Sequence, residues 1–221
     1  MGTLTNWAAL LSRSSRDSEL MRQVVQKAAH RVRSEENAYG LRRDLNVPHT
    51  APEALIPIDV RPIREEDIGH ILGSEKSLTP EEKWDRASRL RLLKTGVGTC
   101  YVAVNGEDKP CYIHWLFSSR DNDFLQSYFH GSFPVLTDDT ALLEHAFTPT
   151  AFRGQRIMSA ATSRIAERAR SVGARYVITF VGLDNAASLK GCARAGFEPY
   201  ILRNRRWFML RSQVTFQPVA S

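Results

Sequence analysis

The order of apolar segments between Ala141 and Phe197 constrains this chain more than any other feature. Ala141–Thr148 reads as a strand. Ile157–Val172 reads as an amphipathic helix whose Ile157, Ala161, Ile165, Ala169 and Val172 share one face, stopped by Gly173. Tyr176–Val181 is an apolar strand rich in β-branched and aromatic residues, and Asn185–Ala195 a further short helix, with Asn185 as N-cap and Gly196 just past its end. Alternating elements of this kind need a sheet face on which to bury the helix stripe.

Between the first strand and the first helix of this run lies Phe152-Arg153-Gly154-Gln155-Arg156-Ile157-Met158-Ser159. A helix start gathers unpaired backbone N–H groups and the positive end of the helix dipole, so an anion belongs there. Gly154 allows close backbone approach, and Arg153 and Arg156 add charge that can face phosphate oxygens. The loop has neither the Gly-Lys-Ser/Thr of a nucleoside-triphosphate loop nor a dinucleotide GxGxxG, so ATP and NAD are not supported.

Upstream, Ile56–Arg61 is strand-like and Arg64–Leu72 a short helix opened by Glu65, Glu66 and Asp67. A second helix is expected from Thr79-Pro80 to about Lys94, before Gly96 and Gly98. Cys100–Val104 and Cys111–Phe117 flank an Asn105-Gly106 turn and predict an antiparallel hairpin. Residues 118–139 hold no clean period and read as a long loop or broken helix that shapes a pocket or is anchored by Phe124, Phe129 and Phe133. Ile201–Leu202 and Trp207–Arg211, separated by Asn204, are expected as a closing strand pair. At the N-terminus, Leu20, Val24, Ala28 and Val32 mark a helical stripe through Ser18–Arg33 that needs a partner, either the domain or a second copy in a homodimer. Arg31, Arg33, Arg42 and Arg43 read as a solvated face. The two prolines of Asn46–Pro52 mark a linker, which places a helical N-terminal extension at 1–54 and the domain at 55–221.

The net charge is +6, and residues 151–221 hold 12 basic against 3 acidic side chains. With 43% hydrophobic and 24% charged residues the composition is that of a globular protein. No apolar run reaches the roughly 18 residues of a membrane span, and the first residues lack a signal-peptide pattern. The three cysteines, Cys100, Cys111 and Cys192, are too few and too scattered for a disulfide framework or a four-thiolate zinc site. A cytoplasmic protein without a metal is the expectation.

Taken together, Arg153-Gly154, the helix Ile157–Val172, the strand Tyr176–Val181, and Asn185-Ala186-Ala187-Ser188 followed by Gly196-Phe197 eleven and twelve residues after Asn185 resemble the acyl-CoA-binding core of the GNAT superfamily of N-acetyltransferases. Ile58–Ile68 resembles the family's first strand and helix start, so the likeness covers about Leu55–Arg211. It implies an α+β fold with a central mixed, mostly antiparallel sheet flanked by helices, and acetyl-CoA or another acyl-CoA as cofactor. Thr148, Arg153, Gly154, Gln155, Arg156, Ile157, Met158, Ser159, Asn185 and Ser188 would contact it. Two positions depart from the family's Arg-Gly-x-Gly-x-Gly/Ala loop: Arg156 and Met158 stand where small residues are usual. Seven residues after Asn185, where many members carry a Tyr that protonates the leaving thiolate, stands Cys192, an acid candidate or a small buried hydrophobe.

An ammonium cannot attack a thioester, so acylation needs a base. Glu144, four residues before Thr148, is the candidate; its neighbour His145 is expected on the opposite strand face, as a core histidine. His114 is placed on the acceptor side and Trp115 in the core. The resulting expectation is transfer of an acetyl or other short acyl group from acyl-CoA to a primary amine of a small molecule. Three alternatives accompany it: an acyl carrier protein as donor, drawn by the basic last third; a nucleic-acid-binding module carried by Arg164, Arg168, Arg170, Arg203, Arg205 and Arg206; and a CoA binder without catalysis.

Overall fold

The computed structural model describes residues 33–73, 79–209 and 211–219. The expected N-terminal helix and its partner surface lie, apart from Arg33, outside the described residues. In chain order the elements are β1 (Arg33–Asp44), β2 (Ile58–Pro62), α1 (Glu65–Leu72), α2 (Pro80–Thr95), β3 (Thr99–Asn105), β4 (Pro110–Phe117), α3 (Asn122–Tyr128), β5 (Thr140–Phe147), α4 (Ile157–Arg168), β6 (Tyr176–Gly182), α5 (Ala186–Arg194), β7 (Glu198–Phe208) and β8 (Arg211–Pro218). The strands form one sheet in the order β2-β3-β4-β5-β6-β1-β7-β8. Its pairings are antiparallel except β5 with β6, the two strands that α4 connects. This is the mixed, mostly antiparallel α+β architecture expected.

Local chemistry sets several element ends. The Thr79 hydroxyl accepts from the Glu82 N–H at 3.3 Å while the Glu82 carboxylate accepts from the Thr79 N–H at 2.9 Å, a reciprocal cap for α2. Asn105 Oδ1 accepts from the N–H groups of Glu107 and Lys109, each at 3.0 Å, and turns the β3–β4 hairpin. Asn185 Oδ1 accepts from the Ser188 N–H at 3.0 Å and starts α5.

The sheet separates two cores. On one face Tyr112, Leu116, Leu143, Val177 and Phe197 pack with Ile157, Ala161 and Ile165 of α4 and Cys192 of α5. On the other, Val102, Ile113, Trp115, Phe117, Leu142 and Ile178 pack with Ile71 of α1, Leu92 of α2 and Leu125 of α3. Each large apolar side chain removed from water contributes about 1.5–3 kcal/mol, and Trp115, as expected, is fully buried.

Three sequence expectations need correction. Residues 33–44, assigned to a helical extension and linker, form β1, which pairs with β6 on one side and β7 on the other near the middle of the sheet. Second, Arg43 within this strand is not on a solvated face: it is buried, and its Nη1 donates to the Ser163 carbonyl and hydroxyl and the Ala195 carbonyl at 3.0–3.2 Å, with Glu167 as ion-pair partner. A guanidinium buried with partners on its terminal nitrogens is indistinguishable from a solvated one in a sequence. Gly40 of the same strand packs closely, since a Cβ there would meet Ile201 at 2.5 Å and Phe180 at 2.9 Å. Third, Asn204 lies inside β7 and does not separate two short strands; the turn to β8 comes after Phe208. Residues 118–139 hold the short helix α3, with Phe124 stacked on Tyr128, and Phe129 edge-on to both Tyr128 and Phe133.

Candidate active site

The site begins where the parallel pair parts. β5 and β6 are in register only over Thr140–Leu143 and Tyr176–Thr179. Beyond that, β5 continues along β4 as far as Phe147, and β6 continues along β1 to Gly182. Glu144–Phe147 and Phe180–Gly182 therefore face each other across an unpaired seam, with strand N–H and C=O groups that no ladder satisfies.

At the mouth of this seam β5 is bulged. Trp115 pairs with Glu144 and Ile113 with Phe147, so three steps on β5 match two on β4, and His145 takes a positive φ of 61°. The bulge breaks the alternation that predicted opposite faces. Glu144 and His145 lie together, His145 Nδ1 3.8 Å from Glu144 Oε1, and the imidazole stands edge-on to Trp115 and Phe129. His145 Nε2 is buried without a hydrogen-bond partner among the described residues. Burial pulls this imidazole down to about 4, helped by the Arg89 charge. Burial pushes the Glu144 carboxyl up to about 7, against a hydrogen bond from the His145 N–H and the charges of Arg203 and Arg205. Its side chain keeps 21% exposure, so water and a proton reach it.

The second part is the turn into α4. Short 3₁₀ geometry over Thr150–Phe152 leads to Gly154 at φ 79° and Arg156 at φ 59°, both left-handed. Arg156 is the α4 N-cap but supplies no side-chain cap. Among the described residues no backbone acceptor meets the N–H groups from Gly154 to Ser159; the helix ladder begins with Ala160 to the Arg156 carbonyl at 3.3 Å. A Cβ at Gly154 would point into open space, and the side chains of Arg153 and Arg156 are exposed. Six free donors, two guanidiniums and a helix dipole at this helix start fit a diphosphate. Arg156 and Met158, the departures from the small-residue loop, leave this cradle open, because Met158 turns inward against Gly191 of α5.

The remaining expected residues fall as follows. Thr148 accepts from Arg153 Nε through its carbonyl at 3.2 Å, and Gln155 donates to the Ala151 carbonyl at 3.4 Å and accepts from the Leu55 N–H at 2.9 Å through its own carbonyl, so both shape the turn. Ile157 is core and Ser159 buried on α4. Asn185 and Ser188 form the α5 cap described above, at the far end of β6. Cys192 is 2% exposed in the α4–α5 core, and burial lifts its thiol to about 12. His114 is also buried, on the α4 face, with Nδ1 2.9 Å from the Tyr112 hydroxyl, which lies 2.9 Å from Thr162 Oγ1; burial takes the imidazole to about 3. It sits in the layer behind Glu144, separate from the aromatic wall of residues 124–133.

Sequence reasoning passed over Arg203, Arg205 and Phe180 as parts of this site. Arg203 lies over the rings of Phe180 and Phe133, at 5.0 and 5.8 Å, and donates to the Ser132 carbonyl at 3.1 Å; Arg205 donates to the Ser132 hydroxyl. Their alternate spacing along one strand was the available signal. Much of the basic last third is committed in the same way. Arg164 and Arg168 donate to carbonyls of β2, Arg170 to the Leu45 carbonyl, and Arg175 and Arg206 pair with Asp44 and Glu35. No group of three or more metal-ligating side chains occurs among the described residues, and no described helix is long and apolar enough to cross a membrane.

A mixed sheet whose parallel pair opens beside an amide-lined helix start has the fold of the GNAT acetyltransferases. Among solved structures, a GNAT-family acetyltransferase from Colwellia psychrerythraea superposes with a TM-score of 0.51 at 15% identity, over 92% of this chain and 63% of its own. The glucosamine N-acetyltransferase region of a fungal multi-domain GH3 β-N-acetylglucosaminidase gives 0.53 at 12%, over 86% of this chain and 23% of its own. A conserved protein of unknown function from Staphylococcus epidermidis gives 0.51 at 13%, over 86% and 66%. This chain thus spans less than two thirds of each of these structures. Neither family models nor curated proteins match the sequence.

Proposed function

We propose that this chain is an acyl-CoA-dependent N-acyltransferase that moves an acetyl or other short acyl group directly to a primary amine of a small molecule. The observation that carries the reading is the unpaired seam between Glu144–Phe147 and Phe180–Gly182, which opens beside the free amides of Gly154–Ser159. Those amides, with Arg153 and Arg156, would hold the diphosphate, and acetyl-CoA when bound supplies an activated acyl carbon. Unpaired N–H groups of β5 would polarise the thioester carbonyl. Glu144, its carboxyl at about 7, would take a proton from the acceptor ammonium; as the amine nitrogen bonds to the acyl carbon and the carbon–sulfur bond breaks, the second amine proton would pass through water to the leaving thiolate. Cys192 is left out of this step, since a thiol at about 12 is a weaker acid than the thiol it would have to protonate. Cytoplasmic work fits three buried free thiols.

The test has a binding arm and a turnover arm. Acetyl-CoA at about 100 times its Kd stabilises the chain by about 2.7 kcal/mol, read as a rise in melting temperature, and an amine panel gives thiol release that Glu144→Gln slows by about 10²–10⁴. No shift at millimolar acetyl-CoA overturns the cofactor reading. A shift without turnover on any amine or acyl-carrier donor leaves a CoA-binding protein in place of an enzyme.

A further inference from the structure

Resting on the acyltransferase reading, we infer that the acceptor amine carries a carboxylate next to its amino group, as an α-amino acid does, and that Arg203, with Arg205, is the group that reads it. Both side chains leave β7 on the sheet face that carries Glu144, Trp115 and Phe133, and both converge on Ser132. Among the described residues Arg203 has no carboxylate within 4.0 Å, whereas Arg205 pairs with Glu36 at 3.7 Å, so Arg203 is the guanidinium left for a ligand. The Nε atoms of both arginines are buried without an acceptor. Arg203 instead lies over two phenylalanine rings, which cannot replace the water it has lost. A planar, forked donor of this kind in an apolar wall is matched by a carboxylate, which it binds with two parallel hydrogen bonds.

The position of Glu144 gives the spacing its meaning. Its carboxylate feels both guanidiniums but ion-pairs with neither, so Glu144 and Arg203 are charges of opposite sign separated by a gap of more than 4.0 Å. A zwitterion fills such a gap in one orientation: carboxylate toward Arg203 and Arg205, ammonium toward Glu144. A neutral amine or a polyamine satisfies only the Glu144 side and leaves the arginines as they were. The rings of Phe129, Phe133 and Phe180 give the rest of the acceptor an apolar wall.

Thiol release with acetyl-CoA is measured for matched pairs that differ only by the carboxylate: phenylalanine and 2-phenylethylamine, leucine and 3-methylbutylamine, serine and ethanolamine, lysine and cadaverine. For at least one pair the wild type is expected to favour the amino acid by about 100-fold or more in kcat/KM, as for a site built around a polar group that the poorer substrate lacks. Arg203→Met lowers kcat/KM for that amino acid by about 100-fold and for its partner by less than about threefold, and Arg203→Lys restores part of the loss. Equal turnover of both members, or an equal loss in Arg203→Met, overturns the inference. If no pair turns over, the acyltransferase reading fails for these amines and the carboxylate site is judged by binding. Ten-millimolar amino acid then raises the melting temperature of the CoA-loaded wild type and of Arg203→Lys, but not of a folded Arg203→Met. No rise in the wild type overturns the site as well.

Discussion

Replacing Glu144 by Gln keeps the shape of the side chain and removes its titration. The carboxyl stands at about 7 against an ordinary 4.5. At 1.36 kcal/mol per unit this corresponds to roughly 3 kcal/mol, and the water reaching its partly exposed side chain trims the figure to about 2–3 kcal/mol. The folded chain holds this proton more tightly than the unfolded chain. The contribution to stability is therefore complete below about pH 4.5, declines as pH rises toward 7, and is constant above it. Glu144→Gln lacks this decline. Urea unfolding of both proteins at pH 4.5, 6 and 8 should show the variant gaining on the wild type by about 2–3 kcal/mol across the range, or roughly 4–12 °C in melting temperature. The same ionisation gives the wild-type kcat/KM an acid limb near pH 7, and the variant loses the limb together with about 10²–10⁴ of the rate. Parallel stability curves for the two proteins would refute the claim that burial holds this carboxyl up.

Cys192→Ala should retain acetylation within about threefold and cost about 1 kcal/mol in urea unfolding, the response of a small packed group; a loss of about a hundredfold in kcat would restore the thiol as acid. Gly154→Val should raise the acetyl-CoA Kd about tenfold or more, measured by calorimetry, because φ 79° strains a β-branched residue by about 1–3 kcal/mol. Deleting residues 1–54 removes β1 from between β6 and β7 and should leave no cooperative unfolding transition by calorimetry, whereas a folded product would return residues 33–44 to an appendage. Arg43→Met should cost about 2–4 kcal/mol in urea unfolding, since it leaves the Ser163 and Ala195 carbonyls buried without their donor.

The sequence by itself determined the local parts. The α2 cap at Thr79, the α5 cap at Asn185, the left-handed Gly173 and Gly196, and the amide-rich turn at Arg153–Ser159 all depend on residues within a few positions of one another. Capping and turn chemistry act at that range, so these elements and the cradle they build were legible. Glu144 could also be placed, as a carboxylate on the strand before the turn. Three things only the tertiary structure decided. Residues 33–44 are a strand because β6 and β7 leave a place between them, and a chain segment bearing Glu35, Glu36, Arg42 and Arg43 shows no alternation by which to recognise it. Glu144 and His145 share a face because of a register mismatch against β4, which no pattern along β5 records. Arg203 and Arg205 reached the site from β7 across two intervening strands. A charge in a sequence carries no sign of what will surround it; burial, the approach of Ser132 and the rings of Phe133 and Phe180 turn these two arginines from surface charge into a recognition element.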